Sequence, residues 1–256
     1  MPTQIEPALL TELRGRLRNA RRVFVLTGAG VSAESGVPTF RGGGYSAVWK
    51  GMPFDAISSY RMLQTDLPAV WEWFDYRRDL LRDLRPNPAH LTLAAWQEKL
   101  AHFSLATQNV DGLHTVAGSR DVHELHGSIW TARCTECGAR ESLREETDAT
   151  GTATVARERP PICRSCGNAM RPDVVLFGEM LPAGVFERAA EDAAACDLCF
   201  VVGTSSLVYP AMRLPEIALE AGAYTVEINP EETPFSALCH ATIQGRAGEV
   251  LPQLDY

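Results

Sequence analysis

Short apolar runs that end in small or polar residues recur along this chain of 256 residues. Four of them are VFVLTGAG at 23–30, FSLATQN at 103–109, LCFVVGTS at 198–205 and AYTVEINP at 223–230. Such a run is typical of a strand buried on both faces of a parallel sheet. Helical stretches such as NPAHLTLAAWQEKL and GVFERAAEDAAAC lie between the runs. The alternation predicts an α/β fold with a parallel sheet and helices on both faces.

Two segments interrupt this alternation. Residues 42–85 are rich in aromatic side chains and have a helical pattern, whereas residues 131–170 contain four cysteines. We interpret both as insertions that form a smaller lobe. The larger lobe would then consist of 1–41, 86–130 and 171–256. Ligands of such sheets bind at the carboxyl ends of the strands, where the glycine, serine, threonine and asparagine residues of the apolar runs fall.

Composition and charge exclude several classes of function. Apolar residues make up 45% of the chain, which is ordinary for a globular protein with a core. The net charge of −8 argues against broad binding to a phosphate backbone, so we expect no nucleic-acid partner. The sequence has neither a long apolar run nor a secretory signal, so we expect no membrane segment and a cytoplasmic location. Since no assembly segment is evident, we expect a monomer.

Four of the seven cysteines form two C-x-x-C pairs, Cys134 with Cys137 and Cys163 with Cys166. Each pair can direct two thiolates at one ion, and two pairs complete a tetrahedral zinc site. Because all four positions would be taken by protein thiolates, we expect the Zn²⁺ to be structural rather than catalytic. An odd number of cysteines in a chain without a signal argues against a disulfide framework.

The segment GAGVSA at 28–33 has the pattern G-x-G-x-x-A directly after the first predicted strand. Glycines allow a tight turn and let the backbone approach a pyrophosphate at a helix N-terminus. The acidic residue expected about 20 positions further on is missing, since position 50 is Lys50. The segment is therefore not an ordinary dehydrogenase fingerprint, and a turn used only for packing is the alternative.

Six motifs occur in an order that resembles the sirtuin family of NAD-dependent protein-lysine deacylases. They are GAGVSAESGVPTFRG at 28–42, TQNVDGLH at 107–114, ELHGS at 124–128, the two cysteine pairs, GTSSLVYP at 203–210 and INPEET at 228–233. The resemblance extends from about residue 21 to residue 254. It implies a Rossmann-type NAD-binding lobe together with a small lobe of a helical module and a zinc ribbon, which agrees with the partition above.

The resemblance also implies how the cofactor NAD binds. The pyrophosphate would lie on Gly28, Ala29 and Gly30, and Gln108 would hold the nicotinamide ribose. Asn109 and Asp111 would bind the carboxamide side and organise water. Gly203, Thr204 and Ser205 would line the path of the phosphates and the adenine ribose, Asn229 would meet the adenine ribose, and Ala247 would lie near the adenine. The other residues expected to contact NAD are Ser32, Phe40, Arg41, His126, Pro230 and Glu231.

The reaction implied by the resemblance begins with attack of the acyl-lysine oxygen on the ribose carbon that carries nicotinamide. A ribose hydroxyl then attacks the acyl carbon, and His126 is the implied general base, with Asn109 and Asp111 as the other catalytic residues. Histidine titrates in the range that this step needs. Water then completes the transfer, so the products would be free lysine, nicotinamide and 2′-O-acyl-ADP-ribose, and the partners would be acylated-lysine proteins or peptides. Protein ADP-ribosyl transfer at the same site is the alternative function.

In WEWFDYRRDL at 71–80, helical spacing places two adjacent arginines on different faces of the predicted helix. Arg77 would share an apolar face with Val70, Trp73 and Leu81. Arg78 would lie on another face and reach solvent more easily. A buried arginine needs a partner, so the sequence predicts that Arg77 binds an anion.

A sirtuin subclass that removes succinyl and malonyl groups carries Tyr-x-x-Arg on this helix, where the pair binds the acyl carboxylate. Here the corresponding residues are Phe74 and Arg77. The guanidinium is present and the phenol hydroxyl is not. We therefore expect weakened desuccinylase activity beside deacetylation, with internal pairing of Arg77 to Asp75 or Asp79 as the alternative.

The segment VVLFGEM at 174–180 is a candidate for contact with the peptide. In the family it lies where an extended substrate pairs with the backbone as an added strand. A buried strand and turn is the alternative. The expected contact residues are Val174, Leu176, Phe177 and Gly178.

Overall fold

The computed structural model describes residues 3–38, 48–144, 159–182 and 184–255. Its helices are α1 (Pro7–Asn19), α2 (Gly30–Ala33), α3 (Phe54–Ile57), α4 (Tyr60–Thr65), α5 (Leu67–Leu81), α6 (Pro88–Lys99), α7 (Leu113–Val116), α8 (Val185–Ala195), α9 (Arg213–Glu220) and α10 (Ala247–Leu254). Its strands are β1 (Val23–Thr27), β2 (Val48–Trp49), β3 (Met52–Pro53), β4 (Phe103–Thr107), β5 (His123–Glu124), β6 (Gly127–Cys134), β7 (Arg140–Ser142), β8 (Met170–Val174), β9 (Leu198–Val202), β10 (Tyr224–Asn229) and β11 (Ala241–Gln244). Phe40 and Arg41 lie outside the described residues.

A six-stranded parallel sheet forms the larger lobe, in the order β11-β10-β9-β1-β4-β5. Val23 of β1 lies opposite Phe103 on one side and Leu198 on the other. Every residue of β1 and β9 is buried, as their apolar runs predict. The chain adds strands to one side of β1 and then, from β9 onward, to the other. This switch places a crevice at the carboxyl ends of β1, β4 and β9.

Helices cover both faces of the sheet because β1 alternates its side chains between them. Val25 packs in a cluster with Trp96 of α6 and Leu251 of α10. Phe24 points to the opposite face and packs in a cluster that contains Ala189 of α8 and Leu214 of α9. The predicted Rossmann-type architecture is confirmed. Among the described residues, no helix combines the length and apolar character needed to cross a membrane.

The smaller lobe combines α3 to α5 and the β2–β3 hairpin with a three-stranded antiparallel sheet, β7-β6-β8. Helix α5 contacts both parts of this lobe. Trp71 packs in a cluster with Cys134, Cys163 and Met170, and its Nε1 donates to the carbonyl of Met170 at 2.8 Å. Trp73, two positions further along the helix, belongs to a different cluster. The domain boundaries given by the sequence stay a prediction.

Candidate active site

Two backbone loops meet in the crevice after β1 and β9. The Gly28 amide donates to the carbonyl of Val202 at 3.0 Å, and the Gly30 amide donates to the carbonyl of Gly203 at 2.7 Å. A Cβ atom on either Gly28 or Gly30 would come within 2.8 Å of the Gly203–Thr204 backbone. Packing alone therefore requires glycine at both positions. The same packing brings two predicted NAD-binding segments together at one edge of the sheet.

Side chains after β4 connect to both loops. Gln108 Nε2 donates to Thr204 Oγ1 at 2.9 Å, and Asn109 Nδ2 donates to the carbonyl of Gly28 and to Ser32 Oγ, both at 3.1 Å. Each of these residues was expected at the NAD site from the sequence. The structure places them within hydrogen-bonding distance of one another.

Ser32 is a fully buried centre of this network. The Asn87 amide donates to His90 Nδ1, so the neutral ring carries its proton on Nε2 and donates to Ser32 Oγ at 3.2 Å. Ser32 Oγ accepts from Asn109 as well, which leaves its hydroxyl proton for the carboxylate of Asp111. Ser32 thus orients Asn109 and Asp111 from within the protein.

Asp111 is buried and has the capping contact that its position suggests. Its Oδ1 accepts from the amide of Leu113 at the start of α7, at 2.8 Å. Burial raises the pKa of Asp111, and the hydrogen bonds from Leu113 and Ser32 and the charges of Arg144 and Arg77 oppose that rise. The carboxylate therefore lies where cationic groups from both segments of the smaller lobe act on it.

His126 follows β5 and faces the same crevice edge. Its Nδ1 lies 2.8 Å from the carbonyl oxygen of Gln108. A carbonyl only accepts, so Nδ1 carries the proton and Nε2 keeps its lone pair. Burial lowers the pKa of His126, and the hydrogen bond to Gln108 opposes this effect. The imidazole is therefore neutral near pH 7 and can accept a proton at Nε2.

Two further histidines lie behind the crevice, with ring centres 4.8 Å apart. Burial lowers the pKa of His90 to about 4, and burial together with the charge of His90 lowers the pKa of His114 to about 3. His114 Nε2 lies 3.0 Å from Thr27 Oγ1. Both histidines are neutral structural groups. The sequence motifs did not reveal that His90 contacts Ser32.

Both adjacent arginines of α5 are buried, with exposed fractions of 5% for Arg77 and 4% for Arg78. The predicted burial of Arg77 is confirmed, but the prediction that Arg78 reaches solvent is wrong. Arg78 Nη1 donates to the carbonyl of Ile129 at 2.9 Å, and Nη2 pairs with Asp75. Strand β6 covers this side of α5, and its backbone supplies the acceptor. The helical pattern of α5 alone carries no information about that covering strand.

The charge of an acid in the crevice acts on Arg77. Burial lowers its pKa, while the charges of Tyr76 and Asp111 act in the opposite direction. Asp75 pairs with Arg78 and with Arg159, and Asp79 pairs with Arg82. Asp111, in the crevice, is one of the charged groups that act on Arg77.

The predicted peptide segment follows β8. Val174 and Leu176 are buried in the cluster that also contains Phe74, whereas Phe177 is 54% exposed. The amide of Phe177 donates to the carbonyl of Ser58 and its carbonyl accepts from the amide of Tyr60, both at 2.9 Å. The backbone of Phe177 is therefore already paired. A substrate strand would have to pair with other groups of this segment.

An ion pair that sequence motifs did not reveal holds this segment. Arg171 is buried, and its Nη2 lies 2.8 Å from both Glu179 Oε2 and the carbonyl oxygen of Val174. Its Nη1 lies 2.5 Å from Glu179 Oε1. Glu179 Oε2 also accepts from the amide of Leu176 at 2.8 Å. Together these bonds fix the path of residues 174–179.

The residues expected at the adenine end lie after β9 and β10 and at the start of α10. Asn229 Nδ2 donates to the carbonyl of Glu231 at 2.7 Å, and Pro230 and Glu231 are exposed. Ser205 is half-buried, and Ala247 is buried at the start of α10. Asn229 is the last residue of β10, and the others belong to loops or helix starts that follow parallel strands. They therefore lie at the same edge of the sheet as the GAG loop.

The four cysteines of the C-x-x-C pairs come together as predicted. Their Sγ atoms lie within 4.8 Å of one another. Cys134 Sγ and Cys166 Sγ are 3.4 Å apart, and Cys137 Sγ and Cys163 Sγ are 3.6 Å apart. Ligands at the usual zinc–sulfur distance in a tetrahedron would be about 3.8 Å apart. The four thiols therefore fit one structural Zn²⁺ ion with no position left for a substrate.

Comparison with known proteins agrees with this geometry. A family profile described as the Sir2 family matches residues 28–210. The chain is 46% identical over 238 residues to a protein named NAD-dependent protein deacylase 2 from Pyrobaculum aerophilum, a match that covers 93% of this chain and 91% of that relative.

Two solved structures have the same fold over nearly the whole chain. One is a complex of a Sir2 homologue with NAD, with a TM-score of 0.85 at 37% identity, covering 99% of this chain and 93% of the other. The second is a mutant Sir2 homologue in complex with 2′-O-acetyl ADP-ribose. Its TM-score is 0.83 at 37% identity, and the match covers 98% of this chain and 95% of the other.

Proposed function

Since the chain belongs to the Sir2 family, we propose that it removes acyl groups from protein lysines with NAD as co-substrate. The products are the free lysine, nicotinamide and 2′-O-acyl-ADP-ribose. NAD supplies the ribose carbon and hydroxyl that receive the acyl group. The observation that carries this proposal is the neutral imidazole of His126, whose Nε2 is available as a base beside Gln108 and Asn109.

The residues of the crevice have different roles in the reaction. His126 takes the ribose hydroxyl proton at Nε2 while Gln108 holds its ring through Nδ1. Asn109 and Asp111, both bound to Ser32, orient the nicotinamide side and a water molecule. Fixed partners of this kind reduce the reorganisation needed to reach the reacting geometry.

We further propose that Arg77 reads a carboxylate at the end of the acyl chain. It is buried on the crevice side of α5, and Phe74 shares a cluster with Val174 and Leu176 of the peptide segment. A hydrogen bond to a charged group contributes about 1.5–3 kcal/mol, so the missing phenol hydroxyl weakens the site by up to that amount. The guanidinium still supplies charge and two-point geometry. Succinyl- and malonyl-lysine are therefore substrates beside acetyl-lysine.

The test compares acetyl- and succinyl-lysine versions of one peptide. Arg77→Met should lower the ratio of succinyl to acetyl kcat/KM by about tenfold or more, the equivalent of losing one charged hydrogen bond. Phe74→Tyr should raise it. Arg82→Met is the matched control, since it removes a partly exposed arginine paired with Asp79 on the same helix. A ratio that is equal in wild type and Arg77→Met contradicts this role.

Protein ADP-ribosyl transfer is the second candidate, and the comparisons do not favour it. Mass spectrometry of the products separates the two reactions. Deacylation yields an acylated ADP-ribose and an unmodified lysine, whereas transfer adds ADP-ribose to the protein. The expected monomeric state and cytoplasmic location stay predictions.

A further inference from the structure

A buried carboxylate links the loops at the adenine side of the crevice. We propose that Glu227 of β10 is a positioning residue for NAD, through the hydroxyl groups of two loops that it holds. This inference rests on the proposed function. The carboxylate is 3% exposed and lies two residues before Asn229. It takes no part in the steps described above.

In the described part of the chain, the side-chain carboxylate of Glu227 accepts hydrogen bonds from three hydroxyl groups. Thr233 Oγ1 donates to Oε1 at 2.5 Å, and Ser236 Oγ donates to Oε2. Ser206 Oγ donates to Oε1 at 3.4 Å. Ser236 Oγ in turn accepts from the Thr233 amide at 2.8 Å. The carboxylate therefore joins the loop after β10 to the loop after β9.

This arrangement continues into the catalytic side of the crevice. Ser206 donates its amide to Thr204 Oγ1 at 3.4 Å, and Thr204 Oγ1 accepts from Gln108 Nε2 at 2.9 Å. Gln108 is the residue whose carbonyl holds His126. A chain of polar contacts thus runs from Glu227 through Ser206 and Thr204 to the base. It crosses three segments expected to bind NAD.

The backbone at Ser206 gives independent support. Its φ is 58°, in the left-handed region that serine seldom occupies. Such a conformation persists where surrounding contacts impose it, and here the Ser206 hydroxyl faces the Glu227 carboxylate. Removal of the carboxylate would leave the buried hydroxyl of Ser206 and the half-buried hydroxyls of Thr233 and Ser236 without this acceptor, and it would release the turn. The expected consequence is a displaced Thr204–Ser205 segment and weaker binding of the adenosine part of NAD.

The experiment measures KM for NAD and for an acetyl-lysine peptide, together with ADP-ribose binding by calorimetry. Glu227→Met keeps the side-chain length but removes the acceptor. We expect KM for NAD and Kd for ADP-ribose to rise at least fivefold, while KM for the peptide and kcat at saturation stay within twofold. Glu227→Gln keeps one carbonyl acceptor and should recover part of the affinity. A general loss of structure would instead change both KM values and kcat.

Matched variants keep the test decisive. Asp192→Asn alters a carboxylate that accepts from Ser104 and His123 near the other end of β4, and it should leave NAD binding unchanged. If Glu227→Met does not fold, Ser236→Ala removes one donor and should raise Kd for ADP-ribose about twofold or more. NAD and ADP-ribose affinities unchanged in the folded variants would overturn the inference. Wild-type protein without NAD-dependent deacylation would instead overturn the proposed function.

Discussion

His126 Nδ1 donates to the carbonyl oxygen of Gln108 across 2.8 Å, and this bond sets the tautomer of the ring. With the proton fixed on Nδ1, Nε2 is the only ring atom that can act as a base. Gln108 also binds Thr204 through its side chain, so its backbone position is tied to the loop after β9. The base is therefore placed by the same residue that links β4 to the expected NAD site.

The pH dependence of kcat/KM follows from the protonation state of this ring. Burial lowers the pKa of His126 below its usual value of 6.5, so the active neutral ring is lost only as pH falls through that lowered value. We expect an acidic limb of kcat/KM with its midpoint below pH 6.5. Burial raises the pKa of Glu124 to about 7, so Glu124→Gln is the control. A limb that keeps its midpoint in this variant belongs to His126, and a midpoint above pH 6.5 would contradict the assignment.

Acid should destabilise the protein through its two buried histidines. The pKa of His90 is lowered to about 4 and that of His114 to about 3, so between these values and 6.5 the unfolded chain binds more protons than the folded one. Stability is therefore lost as pH falls below 6.5. From pH 7.5 to pH 5 we expect the free energy of unfolding to fall by about 2 kcal/mol for each histidine.

Urea denaturation at the two pH values measures this loss. His114→Gln cannot titrate and should reduce the pH dependence by about half. His102→Gln is the matched control, because His102 is exposed and should leave the dependence unchanged. Equal pH dependence in wild type and His114→Gln would contradict the assignment.

The Arg171–Glu179 ion pair should control peptide binding rather than NAD binding. Glu179→Gln breaks the two-point bond to Arg171 that fixes residues 174–179. We expect KM for an acetyl-lysine peptide to rise about fivefold or more, with KM for NAD within twofold. Glu141→Gln, which loses an ion pair with exposed Arg164 on the ribbon, should change neither value. Equal rises in both KM values after Glu179→Gln would contradict this prediction, because the ion pair would then affect NAD binding as much as peptide binding.

Removal of zinc should unfold the ribbon and disturb α5. Cys137→Ser should lower the zinc content, measured by atomic emission, from one ion per chain toward zero. Trp71 packs in the cluster with Cys134 and Cys163, so tryptophan fluorescence should change as well. Cys196→Ser is the control, because Cys196 lies outside the four-thiol cluster. A full zinc complement in Cys137→Ser would contradict the assignment of the ligands.

The central strands could be predicted because each is a buried apolar run that ends in small residues. Strands β5 and β11 were missed, since β5 has two residues and β11, ATIQ, has a single buried residue, Ile243, between exposed polar positions and no apolar run. The position of Arg77 followed from helical spacing. That of Arg78 did not, because strand β6 covers its side of the helix. A periodic pattern reports one face of an element and not its neighbours.

Contacts between distant or irregular segments carried no signal in the sequence. Glu227 meets three hydroxyls only because the loops after β9 and β10 turn toward each other. Arg171 and Glu179 meet because the chain reverses after β8. The motifs predicted which residues contact ligand, but the groups that hold those residues became visible only in three dimensions.

The most direct test of the central claim is the rate of 2′-O-acyl-ADP-ribose formation by His126→Ala with an acetyl-lysine peptide and saturating NAD. Loss of a general base should lower this rate about 100-fold or more. Zinc content and unfolding temperature should match the wild type, because the ring has no part in the ribbon. Product formation at the wild-type rate would contradict the account.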